Sequence, residues 1–463
     1  MKIIPTPKLV QPAIDCAGMM RFEPAVEKNM VFQDAVNAFA LYVKKIYGIS
    51  VEERDRAQIR IVQEEMEPEA YRIVICEDDV TLYAGDSVGA NHAFSSVLQM
   101  LQWEENAILL PEVTIQDKPD CSYRGMMVDL ARDWHPFSYL LSYVDMCYFY
   151  KVAVLQLHFT DDQSYTLPSK LFPKLSTENQ SYTSTQIQEL VEYANARGVE
   201  LMPEIDVPGH CKRFGEAYGD LFGTKGVICQ HADSIKAMKD LFAELCDMFP
   251  YSKYIHIGGD EVFAMNEWTK CPRCLAYAES IGIDPNMEDR NALAHRFYVH
   301  FISEMADVCF QKGRQPVVWE GFAKEYNDKL SKDILVMAWE SYYQLAPELL
   351  EAGFRIVNCS WNPMYIVTPR FMWTPKEVFD WSIYRWRAIH PESPYLETAY
   401  ECEPNSQIIG GQLLAWGDHI VSEYPNVIDG VREEKKCIAE RLPMLAENTW
   451  NITKVTDYER FIK

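Results

Sequence analysis

Apolar positions along this chain follow two rhythms, and the way they are combined changes near residue 118. In the first ~115 residues, runs with alternating or continuous apolar character, QIRIVQ (58–63) and YRIVICEDDVTLYAG (71–85), stand beside stretches with apolar residues every three or four positions, FQDAVNAFALYVKKIYG (32–48) and ANHAFSSVLQMLQ (90–102). Period two marks strands and period 3.6 marks amphipathic helices, so this part predicts a small α/β (α+β) domain. LLPEVTIQDKPDCSYRG (109–125) then brings Pro, Asp and Lys together before a new pattern begins, which sets the expected domains at 1–118 and 119–463.

Beyond that boundary, eight short apolar segments recur, each closed by polar or aromatic residues: YRGMMVDLA (123–131), VAVLQLHFTDD (152–162), VELMPEIDVPGH (199–210), YIHIGGDEV (254–262), PVVWEGF (316–322), ILVMAWES (334–341), RIVNCSW (355–361) and GQLLAWGDH (411–419). The stretches between them, such as SYLLSYVDMCYFYK (138–151) and STQIQELVEYANARG (184–198), have helical spacing and enough length for a crossover between parallel strands. Eight such units predict a (β/α)8 TIM barrel, with a final helix near residues 431–448.

Composition narrows the chemistry. Of 463 residues, 48% are hydrophobic and 24% charged, which suits a folded globular chain. Acids outnumber bases 68 to 44, a net charge of −24, so neither a nucleic acid nor an anionic membrane is an expected partner. The opening MKIIPTPKLVQPAIDCAG lacks an apolar leader with a cleavage site, and no run of 18 apolar residues occurs. A cytoplasmic location is therefore expected. Thirteen cysteines, scattered through apolar segments, read as reduced thiols. Cys271-Pro-Arg-Cys274 has metal-ligand spacing but supplies two ligands where a structural zinc takes four. Neither a metal nor a cofactor is expected.

A barrel gathers its functional groups at the C-terminal ends of its strands. The endings here offer Asp161 and Asp162, Asp206 and His210, Asp260 and Glu261, Trp319 and Glu320, Trp339 and Glu340, Trp361, and Trp416 with Asp418. Arg124 opens the first segment, so it must either reach upward or lie low. Carboxylates accept from hydroxyls and indoles pack on the apolar face of a pyranose, so the expected ligand is a carbohydrate. The adjacent acids of HIGGDEV pose the sharper question. Neighbours on a strand point to opposite faces, so Asp260 and Glu261 cannot easily flank one glycosidic bond from two sides. If Glu261 protonates the leaving oxygen, Asp260 is free to hold a nucleophile carried by the substrate, a 2-acetamido group. Two other readings remain open: a sugar-binding barrel without catalysis, which would have no use for an intact proton donor, and a glycosidase using the remote pair Glu320 and Glu340.

The motifs YRGMMVDLAR, LQLHFTDDQ, PEIDVPGH, HIGGDEV, VVWEG and GGQLLAWGD, in this order over about residues 120–420, resemble glycoside hydrolase family 20, the β-N-acetylhexosaminidases. The preceding α/β domain is similar to the family's usual N-terminal partner. The resemblance implies an exo-acting retaining enzyme for terminal β-linked GlcNAc or GalNAc, working through an oxazolinium intermediate. It implies Glu261 as acid/base and Asp260 as the group that orients the acetamido arm. Arg124 would grip sugar hydroxyls, and Asp162 and His210 would support the pair and the substrate, with Asp206 and His256 behind them. Trp319, Trp339 and Trp416 would wall the pocket, Tyr365 would bond the acetamido oxygen, and Asp418 would meet an outer hydroxyl. Two departures stand out: Val367 replaces an acid found in many relatives, and Asp418 replaces a glutamate. Residues 362–407, rich in Trp, Tyr and Pro, read as an insertion after the seventh strand, fit for a second sugar subsite or a subunit contact.

Overall fold

The run at 71–84 folds as a hairpin, Tyr71–Cys76 against Asp79–Ala84, with Tyr71, Ile73 and Ile75 buried and their neighbours half-buried. The computed structural model describes residues 2–12, 18–368, 371–388, 393–419 and 423–462. The hairpin sits inside a seven-stranded mixed sheet, ordered Leu9–Pro12, Val113–Asp117, Tyr71–Cys76, Asp79–Ala84, Ile59–Gln63, Ala25–Glu27, Glu52–Arg54. Helices Gln33–Tyr47 and Ser87–Met100 pack on each other, and the second also packs on the hairpin. Among the described residues, eleven cysteines are free thiols, but Cys76 is disulfide-bonded, which corrects the reading of every cysteine as reduced.

The eight segments form a closed parallel barrel: Tyr123–Asp129, Val154–His158, Glu200–Glu204, Tyr254–His256, Gln315–Trp319, Leu335–Ala338, Arg355–Asn358 and Ile408–Ala415. Parallel strands are covered on both faces, which is why they read as continuous apolar runs. The eighth strand closes on the first, Tyr123 to Gly410 through Val128 to Ala415. Gly410 has φ +152°, and a Cβ there would stand 1.7 Å from the Tyr123 carbonyl oxygen, so the seam requires glycine.

The stretch expected as an insertion is partly barrel. After the short helix Trp361–Met364, the strand Tyr365–Thr368 lies parallel to the eighth strand, with Tyr365 beside Leu414 and Ile366 beside Ala415. Helix Pro375–Asp380 then packs on the long helix Val427–Trp450, which covers the first and eighth strands and is followed by a short helix, Tyr458–Ile462. None of the described helices is long and apolar enough to cross a membrane.

At the N-terminal end of the barrel, the first domain supplies the floor. Trp450 donates its indole N–H to Asp117 Oδ1 (2.9 Å) and the Tyr71 hydroxyl donates to Asp117 Oδ2 (2.7 Å). The Lys151 ammonium lies 5.8 and 5.4 Å from the ring centres of Tyr71 and Trp450, and burial lowers its pKa to about 8. Arg124 belongs to this floor. Fully buried, it pairs with Glu69 of the first domain and donates to the carbonyls of Cys121 (2.7 Å) and Lys151 (3.0 Å). As the second residue of its strand it lies at the end away from the strand C-termini, so the expectation that it grips sugar hydroxyls is corrected.

Candidate active site

The fourth strand is only three residues long, and Gly258 and Gly259 turn the chain out of it. Gly258 has φ +82°, and a Cβ there would fall 1.9 Å from Asp206 Oδ1, while the Gly259 N–H donates to that same oxygen (3.2 Å). Two glycines therefore let the fourth-strand loop close onto the third-strand loop. Beyond them the backbone is strained: Glu261 has φ +46° and His210, facing it, φ +44°. Such conformations cost about 1–3 kcal/mol each and gather at functional sites.

Because the strand ends at His256, Asp260 and Glu261 do not follow strand alternation, and the expectation that they point to opposite faces fails. Both face one imidazole: His210 Nε2 stands 3.4 Å from Glu261 Oε2 and 4.0 Å from Asp260 Oδ2. His210 Nδ1 meets Asp161 Oδ1 at 3.3 Å, giving the sequence Asp161, His210, Glu261. Burial alone would lower the His210 pKa, but the charges of Asp206 and Asp161 outweigh it and hold the ring well above its ordinary value. Asp260 is raised from its ordinary value, chiefly by burial and further by Glu261, with His210 opposing. Asp206 is raised by burial and then by Asp260.

A second layer holds this one. Glu204 lies at the end of the third strand, fully buried, between His158 (2.8 Å) and His256 (3.2 Å), and accepts from the Trp319 indole N–H (2.7 Å). Burial would raise the Glu204 carboxyl, yet His256 and His158 hold it well below the usual range. His158 continues to Asp161 Oδ2 at 3.1 Å. Trp319 and His256 therefore stand in a supporting network, ring against ring at 4.6 Å.

Aromatic rings line the other side. Tyr365 stacks on Trp361 (4.3 Å), Trp339 (6.2 Å) and Trp416 (6.2 Å), and Trp416 reaches Trp319 at 5.9 Å. Within this box the Tyr365 hydroxyl is buried beside the Trp416 indole, whose N–H can only donate, so the Tyr365 proton has no acceptor among the described residues; Asp260 Oδ1 is likewise buried and accepts no hydrogen bond among them. The two groups are close enough for the Asp260 charge to raise the Tyr365 pKa, although burial is the larger cause.

The arginine that reaches the site is Arg132. It pairs with Asp161 (2.7 Å), Asp129 (3.0 Å) and Asp418 (3.3 Å) and lies over the Trp416 ring. Asp162 turns away: it is exposed, and its carboxylate accepts from the Lys212 backbone N–H at the start of helix Lys212–Phe222 (3.1 Å). The supporting position assigned to it belongs to buried Asp161. Of the remote pair, Glu320 is buried and engaged by the backbone N–H groups of Ser341, Tyr343 and Gln344 (2.8, 2.8 and 3.3 Å), the role of a loop anchor. Sequence reasoning thus missed Arg132, His158 and Glu204, although all three lie inside motifs it singled out.

Comparison with known proteins is consistent with this geometry. The family model for the glycosyl hydrolase family 20 catalytic domain matches residues 121–453, and that for domain 2 of the same family matches residues 1–118. Beta-hexosaminidase 3 of Arabidopsis thaliana is 26% identical over 83% of this chain and 70% of its own. A beta-hexosaminidase of Akkermansia muciniphila is 30% identical over 66% of each chain, so the chain spans about two thirds of the length of these relatives. In fold, it is similar to an exo β-N-acetylglucosaminidase of Vibrio harveyi in complex with N-acetylglucosamine (TM-score 0.79, 22% identity, 99% of this chain and 75% of that one). A β-N-acetylhexosaminidase of Bacteroides fragilis superposes with a TM-score of 0.78 at 22% identity, over 100% and 93% of the two chains.

Proposed function

This chain belongs to glycosyl hydrolase family 20, and on that footing we propose that it is an exo-acting, retaining β-N-acetylhexosaminidase that uses the substrate's own acetamido group as nucleophile. One observation carries the reading. Asp260 Oδ1, an acceptor, and the Tyr365 O–H, a donor set among indoles that cannot accept from it, are both buried, and neither is answered among the described residues. Buried polar groups are normally satisfied. An acetamido group offers an N–H and a C=O side by side, the complement of that pair. With the arm so held, its carbonyl oxygen attacks C1 as Glu261 protonates the leaving oxygen, and the Asp260 carboxylate faces the positive charge of the oxazolinium. Glu261 then takes a proton from the water that reopens C1, with retention.

A panel of nitrophenyl glycosides tests this. The β-N-acetylglucosaminide should be cleaved and the β-glucoside should not, because a 2-hydroxyl cannot form an oxazoline. Comparable rates on both would overturn the reading.

The same panel, extended to the galacto configuration, addresses C4. Asp418 is drawn to Arg132 and Val367 is a buried apolar side chain, so few groups are available to be left unpaired by the wrong epimer. GlcNAc and GalNAc substrates should therefore have kcat/KM within roughly 100-fold, about 3 kcal/mol. A preference above roughly 10⁴-fold would mean another residue reads C4.

The two arginines give a paired expectation. Arg132→Ala removes charge-assisted hydrogen bonds beside the sugar and should lower kcat/KM by roughly 10–100-fold. Arg124→Ala should leave kcat/KM of the folded enzyme near wild type and lower unfolding free energy by about 3 kcal/mol, measured in denaturant. The reverse pattern would place Arg124 in the site.

A further inference from the structure

We propose that Cys229, Cys271 and Cys274 bind a single zinc ion that fastens the segment after helix Lys212–Phe222, itself bonded to the loop carrying His210, to the chain that follows Glu261. Their ligand atoms lie within 4.8 Å of one another, with Cys229 Sγ at 3.3 Å from Cys274 Sγ and 3.9 Å from Cys271 Sγ. A tetrahedral zinc with Zn–S bonds of about 2.3 Å requires its sulfurs about 3.8 Å apart, and both distances from Cys229 lie within about half an ångström of that spacing. Cys271 and Cys274 come from the first turn of helix Pro272–Ser280, and Cys229, 42 positions earlier than Cys271, is brought to them by the fold. The Gln230 backbone N–H donates to Cys274 Sγ (3.3 Å), a bond that strengthens when the sulfur is a thiolate. Arg273, in the same turn, reaches the His231 ring at 3.2 Å and places a positive charge beside the sulfurs. Soft thiolate donors select zinc among the common divalent ions. Cys274 is buried while Cys229 and Cys271 are partly exposed, which leaves the fourth position on the solvent side for a water.

The cluster is placed to act on the active site. Upstream of Cys229, Ile228 donates its N–H to the carbonyl of Pro208, two residues before His210 (2.9 Å). On the other loop, the buried Trp268, between Glu261 and Cys271, donates its indole N–H to the Ile228 carbonyl (2.8 Å). A metal here would hold together the two loops whose meeting sets the contact between His210 and Glu261. Binding displaces the thiol protons, so occupancy falls as pH falls.

The test uses the full chain, purified under reducing conditions, with metal content measured by plasma mass spectrometry. About one zinc per chain is expected, falling to background in Cys229→Ser and Cys271→Ser and unchanged in Cys402→Ser, a free cysteine outside the cluster. Should a variant fail to fold, titration of the metal-stripped wild type with Co²⁺ decides instead: intense sulfur-to-cobalt bands near the ultraviolet and tetrahedral visible bands support the site. Stripping should lower kcat on an aryl N-acetylglucosaminide more than it changes KM. Wild type without zinc and without cobalt bands, or an untreated chain whose mass shows these cysteines oxidised to a disulfide, would overturn the proposal. Metal content is read independently of hydrolysis, so either conclusion can fail without the other.

Discussion

Replacing Glu261 by Gln will slow hydrolysis of substrates with poor leaving groups, such as a second sugar, by about 10²–10⁴-fold, while aryl glycosides with activated leaving groups lose far less. The difference follows from what the carboxyl supplies. A sugar oxygen leaves only as it gains a proton, whereas a nitrophenolate departs largely without one. Glu261 is positioned to donate: its side chain is 28% exposed, open to an incoming aglycone, and its inner oxygen meets His210 at 3.4 Å. The amide keeps the size of the side chain, so binding should change little. Steady-state kinetics on the two substrate classes decide the matter, and equal losses on both would remove Glu261 from the role of acid.

Asp260→Asn will lower kcat by about 10²–10³-fold with KM within roughly threefold of wild type, the pattern of a group used mainly in the transition state. The replacement preserves shape and removes only charge, and the positive charge it would face develops as the oxazolinium forms. A pH profile separates this from simple misfolding. Burial, aided by Glu261, raises the Asp260 pKa, and activity needs the ionised form, so kcat should fall on the acid side at a higher pH than an unshifted aspartate would give. In the Asn variant that acid limb should vanish. Full turnover with Asn would refute an electrostatic role.

The barrel was legible because each parallel strand is covered on both faces and ends at one rim, so apolar runs and polar endings mark it together. The adjacent acids and the aromatic endings were legible for the same reason. Arg124 was misplaced although the information was present. Arg124 is the second residue of the strand and Arg132 follows its end in the same motif, and with about 3.3 Å per residue the seven residues of Tyr123–Asp129 separate the strand's ends by roughly 20 Å. Only the arginine after the strand can reach the C-terminal rim. Asp161 and Asp162 could not be told apart this way, since the choice lies in a local turn in which the Asp161 N–H bonds the Ser164 carbonyl. Nor could Cys229 be joined to Cys271 and Cys274, because the contact exists only once the third and fourth strands lie side by side.

The borrowed floor has a consequence for how the molecule comes apart. The barrel's lower end is closed with the help of Tyr71, Glu69 and Asp117 from the neighbouring domain. If that domain peeled away, water would reach the underside of Trp450, and Arg124 and Lys151 would lose the partners that make their burial tolerable. The two halves should therefore melt in a single cooperative transition, and the hydrolytic rim should not be transplantable as an isolated barrel cut at residue 118. A graft of this active site onto another scaffold would have to bring its basement with it.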